Sequence, residues 1–189
     1  MLEYALLAAC LEHSIDHDLI RSIAKQESNG APTAFYINKW ELDQFRNLSL
    51  EEAVLVSEKM IEEGYTVDVG LMGINSRNLE RFGISVSEGF DPCTNVNLGE
   101  QILFENINYA KSKGHDGHEA IKVALSMYNT GSMHRGFENG YVDKVWSHYT
   151  STLAIEAIEG DISVPWNVAS NLEPVHREKP AWLKEESHE

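Results

Sequence analysis

The stretch Leu19-Ile20-Arg21-Ser22-Ile23-Ala24-Lys25-Gln26-Glu27-Ser28-Asn29-Gly30 decides how the rest of the chain is read. Leu19, Ile20, Ile23 and Ala24 recur at helical spacing, and Glu27 falls at i+4 from Ile23 and i+7 from Ile20. A carboxyl group therefore continues the apolar stripe of a short amphipathic helix. Asn29-Gly30 is a helix stop, which puts Glu27 in the last turn. Desolvation on an apolar face and the negative end of the helix macrodipole both disfavour ionisation there. A carboxyl kept protonated near neutral pH is what a general acid needs, and Glu27 is predicted to be that acid. The competing expectation is an ordinary helix-end Glu turned out to solvent.

Composition narrows the alternatives. A chain of 189 residues forms one domain of ordinary size, and its 42% hydrophobic and 9% aromatic content suits a soluble globular protein. No apolar run approaches the roughly 20 residues of a membrane span. The formal charge of -15 argues against nucleic acid or an anionic membrane as main partner, because both reward Lys and Arg. Leu7-Ala8-Ala9-Cys10 has the outline of a lipoprotein cleavage site, but there is no basic n-region and Glu3 interrupts the run, so an amphipathic helix is expected instead. Cys10 and Cys93 lack metal-ligand spacing and are read as two buried thiols or one disulfide. His13 with His17, and His115 with His118, have helical spacing but no third ligand; no metal or other cofactor is expected.

The pattern is mainly helical. Tyr4, Leu7 and Leu11 mark a first helix, and Asp16 to Asp18 offers the N-cap of the helix that ends at Glu27. Beyond Ala31-Pro32, Phe35 to Trp40 and Phe45 to Leu48 read as two short extended pieces, a small hairpin or loop. Ser49-Leu50-Glu51-Glu52 is a capping box, opening a helix that Gly64 closes. Two glycines within Thr66 to Asn75 predict close backbone approach, and a short helix follows from Ser76 to Phe82. Longer helices are predicted from about Asn95 to Ala110, Glu119 to Asn129 and Tyr141 to about Ile158, with Tyr128 inward on the second. From Gly160 the pattern dissolves among Pro165, Pro174 and Pro180, so residues 160–189 are expected to be a flexible Pro- and charge-rich tail. Its Trp166 and Trp182 are candidate anchors for a partner surface.

Four segments bear on Glu27 together: Ala24-Lys25-Gln26-Glu27-Ser28, Val69-Gly70-Leu71-Met72-Gly73-Ile74-Asn75, Asp91-Pro92-Cys93-Thr94-Asn95, and Ser126-Met127-Tyr128-Asn129-Thr130-Gly131 followed by Tyr141-Val142. In order and spacing, from about Leu6 to Tyr149, they resemble the lytic transglycosylases of the soluble-lytic, lysozyme-like superfamily. The Asp-Pro-Cys-x-Asn segment and the early cysteine look like the subgroup that accompanies type IV secretion and conjugation machines. The resemblance implies a mainly α, lysozyme-like α+β fold, with residues 1–159 as the catalytic domain and a small extended region lining a glycan cleft. It implies that Glu27 is the catalytic acid/base and that Ser28 helps position substrate. Gly70, Leu71, Met72, Ile74 and Asn75 would line the cleft, and the Tyr128-Asn129 pair would bring a phenol to the acid or the sugar. Gly73 departs from the family, which usually has Gln there.

The implied reaction cleaves the MurNAc-GlcNAc β-1,4 bond of peptidoglycan and leaves a 1,6-anhydro-MurNAc end. It fits a site with one clear carboxylate, since two-carboxylate glycosidases hold the second about 5 to 10 Å away. Asp68 precedes the cleft segment and is the candidate for such a second group, although in relatives that position looks structural. Peptidoglycan lies outside the inner membrane, so the resemblance implies a periplasmic location and a Cys10–Cys93 disulfide. No signal peptide is read in the sequence, so it was removed or export is unusual. The implied partners are glycan strands and, through the tail, components of an envelope-spanning machine. A goose-type muramidase and a non-catalytic glycan-binding assembly factor are the alternatives.

Overall fold

The computed structural model describes residues 10–13, 15–38 and 48–159, with side chains through residue 153. The helix expected around Tyr4 and Leu7, the segment from Trp40 to Phe45, and the tail with Trp166 and Trp182 lie outside the described residues. Among the described residues eight helices and three short strands follow in order: α1 His17–Ser28, β1 Phe35–Ile37, α2 Leu50–Glu62, β2 Val67–Val69, β3 Ile74–Asn75, α3 Ser76–Phe82, α4 Val86–Gly89, α5 Pro92–Ser112, α6 Gly117–Thr130, α7 Arg135–Glu138 and α8 Tyr141–Glu159. The fold is mainly α with a three-stranded antiparallel sheet, as expected. Among the described residues no helix is long and apolar enough to cross a membrane.

Local chemistry sets the element boundaries. Asp16 caps α1 by accepting from the Asp18 N–H, and Asn29 ends it in the left-handed region at φ 53°. Ser49 and Glu52 form the reciprocal capping box of α2. The longest helix, α5, starts earlier than expected: Asp91 accepts from the Thr94 N–H and Pro92 takes the first turn, where a missing N–H costs nothing. The four-residue α7 has no side-chain cap and was not foreseen.

Helix α1 packs along α8, and α5 along α6. Leu19, Ile20 and Ile23 from α1 join Val96 and Leu103 from α5, Leu125 from α6 and Val142 and Val145 from α8 in one core. The sheet, in the order β1-β2-β3, adds Ile37, Val67, Val69 and Ile74 to the same core. Phe35, Tyr36 and Ile37 oppose Val69, Asp68 and Val67, so β1 pairs with β2, about thirty residues on in sequence. Val67 and Val69 are fully buried while Asp68 between them points to the other face, as strand alternation requires.

The N-terminal segment is fastened to α5. Cys10 and Cys93 form a disulfide across a sequence separation of 83, which resolves the alternatives left open by spacing. Two turns further along α5, fully buried Glu100 accepts the backbone N–H groups of Glu12 at 2.8 Å and His13 at 2.9 Å. His13 also pairs with Gln101 and stacks on Phe104 at 4.6 Å. His115 pairs with Glu119, and His118 packs edge-on against Trp146.

Candidate active site

Between the sheet, the end of α1 and the start of the α6–α7 connection lies a cleft of about 970 Å³. Its walls include Glu27, Asn38, Asp68, Gly73, Ile74, Asn75, Tyr128 and Asn129. Glu27 reaches it because α1 ends one residue later. Ser28 is used in making that end: its hydroxyl donates to Ala24 O at 2.9 Å and accepts the Gly30 N–H at 3.1 Å. The hydroxyl expected to position substrate thus serves the helix stop, and Ser28 is not part of the cleft wall.

The Glu27 side chain keeps an edge toward the cleft while its carboxyl is largely withdrawn from water. Withdrawal from water raises its pKa from 4.5 to about 7; a hydrogen bond from Tyr141 opposes the rise and the nearby charge of Asp68 adds to it. The Tyr141 hydroxyl donates to Oε1 at 2.5 Å. The role foreseen for Tyr128 at the carboxyl therefore falls to Tyr141. Tyr128 instead donates to Met72 O at 2.8 Å, fixing the backbone beside Gly73. Burial raises both phenols well above their ordinary range, so both stay neutral donors. Tyr141-Val142 stood in the motif set, and its place in the first turn of α8, facing α1, is the signal that separates it from Tyr128.

Gly73 has φ +59°, and a Cβ built there would stand 2.8 Å from Glu27 Oε2. The second oxygen of the acid is thus held against bare backbone. A side chain at this position would be strained by its conformation and would press on the carboxyl. The turn that carries Gly73 is fixed from below by Asn95, fully buried, whose amide donates to Val69 O and Gly89 O and accepts the Met72 N–H at 2.7 Å. A Cβ at Gly70 would overlap the Asn95 side chain at 2.3 Å. The close approach predicted from the two glycines is present at both.

The expectation that Gly70, Leu71 and Met72 line the cleft is corrected. Leu71 and Met72 are 1% and 0% exposed in the main core, and Gly70 backs onto Asn95. A tight turn with positive φ at both glycines tucks the residues between them beneath the cleft floor, leaving Gly73 and Asn75 at its surface with Ile74, itself buried, bordering it between them. Asn75 also caps α3 and donates to Asp68 Oδ1, while Asn129 accepts from Asn139 at 2.9 Å.

A helical domain, a small antiparallel sheet and a withdrawn acid, Glu27, at the cleft between them define a lysozyme-like protein. The chain belongs to the transglycosylase SLT domain family, whose model matches residues 5–146. Protein virB1 of Agrobacterium fabrum is 34% identical over 134 residues, 70% of this chain and 53% of that protein. The type IV secretion system protein virB1 of Brucella suis is 26% identical over 189 residues, 96% of this chain and 79% of that protein. A virB1 protein of Rhizobium radiobacter is 32% identical over 133 residues, covering 70% and 54%. The chain thus spans about half the length of the Agrobacterium and Rhizobium relatives. No solved structure matches it significantly.

Proposed function

We propose that this chain is a peptidoglycan lytic transglycosylase that opens the cell wall locally for a type IV secretion apparatus, acting in the periplasm. The observation that carries the reading is Glu27 at the cleft, its pKa raised to about 7 and one oxygen held by the neutral Tyr141 hydroxyl. Membership of the transglycosylase family and similarity to virB1 proteins of secretion systems support the substrate and setting.

In the proposed reaction Glu27 gives its proton to the glycosidic oxygen as the bond to the anomeric carbon breaks, and the sugar's own acetamido oxygen closes on that carbon. The glucosamine-terminated strand departs as an alcohol. Glu27, now a carboxylate, takes the proton of the 6-hydroxyl, whose oxygen displaces the acetamido group and forms the 1,6-anhydro ring. Glu27 ends protonated and no water is consumed. An acid whose pKa lies near the working pH serves both halves of such a cycle. Mass spectrometry of digested peptidoglycan tests it: anhydro-muramyl ends are expected, reducing ends would instead make the protein a muramidase, and undigested wall would leave a glycan-binding factor.

A further inference from the structure

We propose that Asp68 is a second acidic group of this reaction, accepting the acetamido N–H of the sugar being cleaved and stabilising the positive charge that develops as the acetamido oxygen closes on the anomeric carbon. The inference rests on the transglycosylase reading. Asp68 occupies the middle of the central strand β2, on the face opposite Val67 and Val69, and opens into the same cleft as Glu27. Its two oxygens are held from either side: Asn38, just past β1, donates to Oδ2 at 3.0 Å, and Asn75 on β3 donates to Oδ1 at 2.5 Å.

Both partners are neutral amides. They fix the carboxylate without cancelling its charge, and each oxygen keeps a further acceptor position. A negative charge in a poorly hydrated cleft is costly unless something repays it, and a cation forming on the substrate is such a thing. The two carboxyls also differ in setting. Burial raises the Asp68 pKa from 3.8 but its two amide donors oppose the rise, whereas Glu27 has one opposing donor and reaches about 7. Asp68 has a neutral amide donor on each oxygen where Glu27 has a single hydroxyl donor on one, so the two carboxyls are held differently, as expected of a pair with different tasks. The bland role for Asp68 is to pin the three strands together through Asn38 and Asn75, and the experiment separates the two.

Asp68→Asn keeps the shape and removes the charge; Asn38→Ala keeps the charge and removes one pin. The readouts are kcat and KM for anhydro-muramyl release, the pH profile of kcat/KM, and thermal melting. The ionisable groups acting on Glu27 are Asp68 on β2, Tyr141 on α8 and Tyr128 on α6, and the two phenols stay neutral, so the charge of Asp68 is the one removed. Asp68→Asn should lower kcat at least 100-fold with KM within threefold and move the alkaline limb to lower pH, because Glu27 loses a neighbouring anion. Asn38→Ala should lose less than tenfold and leave the limb in place. Asp68→Asn with kcat within threefold of wild type and an unmoved limb overturns the proposal, as does an equal loss in both variants that follows a lowered melting temperature. Wild-type protein that releases no anhydro product overturns the transglycosylase reading and this inference with it; normal release by wild type and Asp68→Asn alike overturns the role of Asp68 alone.

Discussion

Glu27 and Glu100 are both carboxyls withdrawn from water on helices, and they do different things. Glu100 is 0% exposed and is met by two backbone N–H groups that cannot move away, from Glu12 and His13. Glu27 is met by a single tyrosine hydroxyl, and its other oxygen lies against Gly73 at the edge of an open cleft. Burial alone does not make an acid. What separates the two is whether the partners leave an oxygen facing space that a substrate can enter, and the protein uses the closed arrangement to fasten its N-terminal segment and the open one for chemistry.

The sharpest test of that contrast is Glu27→Gln. A general acid/base that is replaced by an amide should cost at least a thousandfold in anhydro-muramyl release, measured by mass spectrometry of wall digests. Stability should move the other way. With a pKa raised from 4.5 to about 7, ionisation of Glu27 works against the folded state. The penalty is absent below pH 4.5, grows as pH rises toward 7 and is constant above it. The amide escapes it, so the variant should be more stable than wild type by roughly 3 kcal/mol at pH 8 and equal to it near pH 4. Denaturant melts at the two pH values check this, and equal stability at both would return Glu27 to solvent.

On the other side of the molecule the effects should be structural only. Reducing the Cys10–Cys93 bond releases a loop with a sequence separation of 83, worth about 4 kcal/mol in the chain-entropy view. Glu100→Ala leaves two N–H groups without their acceptor and should cost about 2 to 3 kcal/mol. Both changes loosen the same segment, so the double change should cost less than the sum. Thermal melts measure these losses, while kcat below the melting range should stay within threefold of wild type. A large loss of kcat in Glu100→Ala would break the contrast between the two carboxyls.

Much of this was legible in the sequence because it is written in local chemistry. The apolar spacing that ends at Glu27, the capping box at Ser49 and the glycine stops depend on neighbours a few residues away. The motif order carried the family. What stayed hidden depends on partners distant in the chain: Tyr141 is 114 residues from the carboxyl it serves, and Glu100 lies 88 and 87 residues from the N–H groups it receives. The periodic pattern marks Tyr128 as inward and does not single out Tyr141, so it cannot say which phenol meets Glu27. Gly70, Leu71 and Met72 were misplaced for a related reason, since a motif places a segment at a cleft while the turn's φ angles choose which of its residues reach the surface.

The mildest test acts on the open carboxyl through its one donor. Tyr141→Phe removes the hydroxyl that donates to Glu27 Oε1 and keeps the ring that packs in the first turn of α8. That hydrogen bond is the one influence that holds the Glu27 pKa down, so without it the pKa should climb further above its ordinary value. The acid would then stay protonated to higher pH, and the alkaline limb of the activity profile should move up, opposite to the shift expected for Asp68→Asn. Turnover at pH 7 should fall about tenfold, because a less fixed carboxyl is a less well-aimed acid and a weaker proton donor. Folding should lose only about 1 kcal/mol for the missing bond. Rate profiles from pH 5 to 9 read both shifts, and an alkaline limb that stays where wild type has it would show that Tyr141 holds the position of the carboxyl without setting its protonation.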